Sequence, residues 1–252
     1  KDIKEIEDNV FNGCTNLKEV IFNTGITIYK DNILLNCTSL ESITIDVLNQ
    51  ALVGFFDYEE SNIPETFINI NFLSKDKATN TSKMFNNMSS HLFSINIPSS
   101  WEVVPERYFQ NNTLIKEVNM EEGITTIKSS VFHGCSILQF ITLPNSIKSI
   151  EPYAFVNCLS LQSITLPNSI TNINQGAFNN CSVLQTITLP NTITSIDDNA
   201  FYFCSALQSI TLSRSLTNIG ADAFRYCSSL TDVFYGSNKS DFVNNVTIGS
   251  NN

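Results

Sequence analysis

The sharpest pattern along the chain is a short apolar-polar-apolar run that returns every 23 residues as Ile141-Thr142-Leu143, Ile164-Thr165-Leu166, Ile187-Thr188-Leu189 and Ile210-Thr211-Leu212. Such alternation places Ile and Leu on one face of a short strand and Thr on the other. Pro144-Asn145, Pro167-Asn168 and Pro190-Asn191 follow the strands. Their fixed φ and side-chain-to-backbone bonding favour a turn there. A second apolar pair (Ile147/Ile150, Ile170/Ile173, Ile193/Ile196, Leu216/Ile219) and an aromatic (Phe155, Phe178, Phe201, Phe224) complete an inward-facing set in each unit. No single unit can bury that set alone, so the units must stack. A fixed period of this size is the signature of a solenoid.

The cysteines keep the same beat. Cys135, Cys158, Cys181, Cys204 and Cys227 are 23 residues apart, Cys14 and Cys37 repeat the interval, and Leu138, Leu161, Leu184, Leu207 and Leu230 lie three residues later. Followed backwards, the aromatic column reads Phe132, Phe109, Phe85, Phe56, Leu34 and Phe11, which predicts about ten coils. At roughly 4.8 Å per coil the stack would be about 50 Å long. The register is loosest over about 46–110, where ALVGFFDYEE and SKDKATNTSK interrupt the pattern, and regular over about 111–235. Because Phe67-Ile68-Asn69-Ile70 still reads as a strand, 1–235 is expected to be a single solenoid with a bulging loop. Val233-Phe234-Tyr235 reads as a last strand and 236–252 as a polar cap or tail.

These columns resemble the BspA-like class of leucine-rich repeats, found in surface antigens of bacteria and parasitic protists. The match is clearest from Cys135 to Tyr235, and weaker units extend it over nearly the whole chain. The resemblance implies a right-handed, β-rich solenoid with a parallel sheet on one face. It also implies display at the cell surface or secretion, with adhesion to host or extracellular proteins as the commonest role. One departure is Ser146, Ser169, Thr192 and Ser215 in the column where the general leucine-rich motif carries asparagine. It sets aside the usual asparagine ladder and implies a flatter curve than a horseshoe.

Charge narrows the partners. With 14 Lys and Arg against 24 Asp and Glu, the net charge is −10. Nucleic acid and anionic membranes are held largely by basic residues, so neither is an expected partner. No run approaches the roughly 18 to 20 apolar residues that cross a bilayer, and the start, KDIKEIEDNVF, lacks the basic and apolar regions of a signal peptide. Because the chain begins in the second half of a unit, Lys1 is expected to be a fragment boundary.

Candidate chemistry is sparse. The cysteine column lacks the short C-x-x-C pairs of metal sites. Stacked neighbours about 5 Å apart are within disulfide range, but packing alone explains an evenly repeated column, and free buried thiols are the preferred reading. His91 and His133 fall near expected turns and read as surface residues, and no catalytic motif accompanies them. Glu59-Glu60, Glu121-Glu122 and Asp197-Asp198 read as solvated charges, without the loop pattern of calcium or acid/base sites. No catalytic residue, metal or cofactor is therefore expected. Sequons place possible glycosylation at Asn36, Asn80, Asn87, Asn111, Asn180, Asn238 and Asn245, meaningful only for a protein secreted by a eukaryote.

What remains is surface. Ladders of Gln139, Gln162, Gln185 and Gln208 and of Thr142, Thr165, Thr188 and Thr211 are the expected partner-facing positions. The same uniformity also suits exposed strands with no partner. Phe55, Phe56, Tyr58, Trp101 and Tyr108 are candidate aromatic anchors in the irregular coils, with core packing the preferred reading. The expected function is a non-catalytic interaction or adhesion module for protein or glycan. The alternatives are a passive spacer or antigen and, distantly, an enzyme with a cleft near 50–110.

Overall fold

The computed structural model describes residues 3–22, 26, 28–30, 32–45, 68–72, 93–235 and 247–250. They form a parallel β-solenoid of leucine-rich-repeat type, without an α-helix among them. About seven turns are complete, fewer than the ten expected from the aromatic column, which runs through Phe56 and Phe85, both outside the described residues.

Each regular coil has three sides. The Ile-Thr-Leu run makes the first strand, for example Ser163–Thr165 and Thr186–Thr188. After the Pro-Asn corner a two-residue strand follows, such as Ser149–Ile150 or Ser195–Ile196. Pairing is parallel and joins equivalent positions, Ile164 to Ile187 and Ile196 to Ile219, because one period is one turn of the coil. The irregular stretch keeps this register: Ile43 pairs with Ile70, Ile70 with Ile95 and Ile95 with Val118, with one bulge between Phe93 and Ser94. Thr247–Ile248 pairs with Asn218–Ile219, so the chain re-enters the second strand column within the expected tail.

The third side is a run of turns that ends at the cysteine. Its backbone groups divide their bonds, as they must when the segment is buried on one face. The N–H of Phe132 donates to Ala154 of the next coil at 2.8 Å, whereas the N–H of Cys135 donates back to Phe132 within its own coil at 3.0 Å. The same pair of bonds recurs at Phe155 and Phe178. This winding uses two left-handed residues per coil, four positions apart: Arg107 and Asn111, Ser130 and Gly134, Tyr153 and Asn157, Gly176 and Asn180, Asn199 and Phe203, Asp222 and Tyr226.

The core is built from columns. Phe109, Phe132, Phe155, Phe178, Phe201 and Phe224 stack with centroids 5.3 to 5.5 Å apart and planes within 10° of parallel. Leu138, Leu161, Leu184 and Leu207 are wholly buried beside them. Trp101 and Tyr108 belong to this core, 5% and 3% exposed, and pack edge to face. Among the described residues neither the Trp101 indole N–H nor the Tyr108 hydroxyl has a hydrogen-bond partner. Phe55, Phe56 and Tyr58 lie outside the described residues.

Candidate functional site

The residues with most chemical potential serve the stack. All seven cysteines are free thiols, buried except for exposed Cys14 and half-buried Cys227. Each thiol from Cys135 to Cys227 donates to the carbonyl of the phenylalanine one coil earlier, as in Cys158 Sγ to Phe132 O at 3.2 Å and Cys204 Sγ to Phe178 O at 3.1 Å. Burial pushes the thiols of Cys135 and Cys181 up to about 12, far from the thiolate a nucleophile needs. In the column where the general leucine-rich motif carries asparagine, hydroxyls form a ladder: Ser146 Oγ donates to Ile124 O at 2.7 Å, Thr192 Oγ1 to Ile170 O at 2.6 Å, and Ser169 Oγ to Ile147 O.

The paired carboxylates are occupied with backbone. Glu122 accepts the N–H groups of Asn145 and Ser146 from the next coil at 2.9 and 3.1 Å, and these bonds, led by Asn145, hold its pKa below the ordinary value. Glu121 accepts the Ser99 N–H at 2.9 Å, and Asp198 accepts that of Ala221 at 2.6 Å. His133 is half-buried in the turn segment, and burial, followed by the charge of Arg107, lowers its pKa. His91 and Glu59-Glu60 lie outside the described residues. Among the described residues no group of three or more His, Cys, Asp and Glu is placed to hold a metal, and no helix is long and apolar enough to cross a membrane.

Three sequon asparagines are described, and all three occupy the left-handed position before the cysteine column or its equivalent. Asn36 donates its amide to Asn12 at 3.0 Å and Asn180 to Asn157 at 2.8 Å. Asn111 is exposed, its amide oxygen close over Gly134. Asn80, Asn87, Asn238 and Asn245 lie outside the described residues.

The first strand column presents the open face. Thr142, Thr165, Thr188 and Thr211 are exposed on it, one to a coil. The glutamines stand apart from them: Gln162, Gln185 and Gln208 are exposed but precede the strands, and Gln139 is half-buried. The partner of threonine on the strand face is the residue two positions earlier, Ser163, Thr186 or Ser209, and in one coil that residue is Phe140, 49% exposed.

At Phe140 the stack also opens. The sheet that ends with Phe140–Thr142 does not bond to Ser163–Thr165, and the second column parts at the same place, between Ser149–Ile150 and Asn172–Ile173. The turn side stays closed, with Phe155 N–H to Ala177 O at 2.9 Å. Ser169 to Ile147 and Asn174 to Ile150 bridge the seam through side chains. Ile141 and Leu143 are consequently only half-buried, whereas Ile164 and Leu166 are buried. A cleft of about 540 Å³ lies over this seam, bringing together Thr142, Thr165 and Thr188 with Phe140, Asn145 and Asn168. Thr211 and the glutamines are outside it.

The profile of the BspA type leucine rich repeat region matches residues 1–75, 65–146 and 127–251, in six copies. The chain belongs to this family. Among solved structures, this BspA-type chain is similar to the Treponema pallidum leucine-rich repeat protein, at 26% identity and a TM-score of 0.56 over 62% of this chain and 72% of that one. It is likewise similar to a leucine rich cell surface protein of Faecalibacterium prausnitzii, at 26% identity and a TM-score of 0.55 over 77% of this chain. The BspA-type chain spans about half of that protein, 48% of its length. No curated protein matches it significantly.

In a BspA-type repeat the informative residues are those that break their column while remaining exposed. Phe140 is one, and it escaped a reading that looked for regularity. Phe203 and Tyr226 are others: they occupy the left-handed position with φ of 59° and 63°, where Asn157 and Asn180 stand in earlier coils. Both are exposed and their rings lie 4.5 Å apart, with Tyr202 against them and the Arg225 guanidinium 4.8 Å over the Tyr226 ring. Bulky residues in this backbone region cost on the order of 1 to 3 kcal/mol. Among the described residues these exposed column-breaking rings lie in the regular coils, and most of the irregular stretch lies outside the described residues.

Proposed function

We propose that this chain is a non-catalytic interaction module, displayed at a cell surface or secreted, that binds an extracellular partner through the open face of its first strand column. The observation that carries this reading is the cleft at Phe140, where an exposed ring and three threonines of successive coils line one cavity on the first strand column. A half-exposed Phe on the last strand of its sheet forgoes burial that a partner would restore. The cell-surface description of the F. prausnitzii protein supports the location. The acidic chain favours a neutral or basic partner.

The test is adhesion of the purified chain to immobilised extracellular matrix proteins and to cultured cells. Saturable binding is expected, abolished by Thr188→Lys and weakened by Thr211→Lys, both exposed positions that leave the core untouched. Binding that never saturates, or that ignores both substitutions, would instead leave a passive spacer or antigen.

A further inference from the structure

We propose that the Phe140 cleft is a binding site for a neutral saccharide. This rests on the interaction reading above and specifies its ligand. The cleft lining holds no charged side chain, although the chain as a whole carries a net charge of −10. An anionic ligand would find no cation there, and would meet the Glu122 carboxylate, which bonds to the backbone of Asn145 at the cleft edge. A cation or metal would find no carboxylate in the lining, and the Glu122 carboxylate at its edge is already engaged by the Asn145 and Ser146 N–H groups. Charge complementarity therefore selects a neutral ligand.

The lining then decides among neutral ligands. Thr142, Thr165 and Thr188 offer hydroxyls that both donate and accept, and Asn145 and Asn168 offer amides that do the same. A purely apolar ligand would strip water from these groups and leave them unpaired, at about 1 to 3 kcal/mol each. A purely polar one would waste the Phe140 ring and the half-buried Ile141 and Leu143. A pyranose has both surfaces, with hydroxyls around its rim to exchange bonds with Thr and Asn and an apolar C–H face to lie on an aromatic ring. The volume, about 540 Å³, falls within the range of small-ligand sites and leaves room for more than one sugar ring. An extended peptide is less well served. The two strands facing the seam are unpaired sheet edges, yet they stay packed beside each other, which leaves no room for a peptide strand to pair between them.

The experiment is a glycan array spanning neutral and acidic oligosaccharides, probed with the whole chain. Its strongest neutral hit, or lactose and N,N′-diacetylchitobiose if none stands out, is then titrated against the isotope-labelled protein and followed by amide chemical shifts. Saturable shifts are expected within 140–145 and 163–168. Phe140→Ala should weaken binding by about tenfold, the scale of one lost ring contact, and Phe203→Ala should leave it unchanged. A sialylated counterpart should bind more weakly than its neutral parent. The proposal is overturned if no neutral saccharide gives saturable shifts in these segments, if acidic glycans are preferred, or if Phe140→Ala binds as well as the unaltered chain with its fold intact by the same spectra. Adhesion that Thr188→Lys abolishes but neutral saccharides do not compete would overturn the saccharide alone, in favour of a protein partner. Saccharide binding in the cleft without any adhesion would do the reverse.

Discussion

At the scale of single residues, the repeat spends its reactive side chains on joining one coil to the next. A cysteine thiol is small enough to sit beneath the phenylalanine stack and still donates a hydrogen bond, so it satisfies a carbonyl that leucine would leave with one partner fewer. Reactivity should follow burial. At mild alkaline pH a thiol-specific disulfide reagent is expected to modify Cys14 rapidly and Cys227 slowly, and to reach Cys37, Cys135, Cys158, Cys181 and Cys204 only after denaturation, as mass mapping would show. Prompt labelling of Cys158 in the folded chain would contradict the buried ladder.

Glu122 makes a second residue-level case. Its folded pKa lies below the ordinary value of 4.5, so its contribution to stability is present above that pH and is lost as pH falls through the lower folded value. Urea midpoints of Glu122→Gln and the unaltered chain should differ at neutral pH and converge below about pH 4. A gap that persists undiminished at low pH would show that the carboxylate charge is not what holds Asn145 and Ser146.

Among elements, the aromatic column is the part of the stack least able to tolerate loss. Phe155 is wholly buried between Phe132 and Phe178, each 5.4 Å away. Replacing it with Ala is expected to cost about 3 to 5 kcal/mol by urea denaturation. Because each coil touches only its neighbours, the transition should also broaden. The strand columns, by contrast, are not uniform. Amides of Ser163–Thr165 directed towards Phe140–Thr142 have no strand partner, so they should exchange with solvent faster than equivalent amides of Thr186–Thr188 and Asp232–Tyr235, which pair with the strand of the coil before them. Equal protection would place the two coils in a continuous sheet and close the cleft.

For the whole molecule, the one-dimensional design explains both what was legible in advance and what was not. Periodicity of 23 residues and alternation within Ile-Thr-Leu are properties of a line, and they sufficed for the solenoid, its parallel pairing in equivalent register, the buried phenylalanines and leucines, and the exposure of Thr142, Thr165, Thr188 and Thr211. The glutamine column shares the period, and the strand begins one residue after it, so the period alone does not mark where the strand starts. The seam had no such trace. Ser163-Ile164-Thr165 and Thr186-Ile187-Thr188 are nearly the same sequence, yet only the first is unbonded to the coil before it, because strand pairing depends on the separation of two backbones and not on either sequence. Likewise, that Phe140 lines one cleft with Thr142 and Thr165, and that Phe203 meets Tyr226, follows from stacking positions one period apart. Sequence determined which side chains each coil turns inward, since burial of an apolar face is dictated by spacing. Only the tertiary structure decided which outward residues of different coils share a cleft, since that depends on how closely the coils approach.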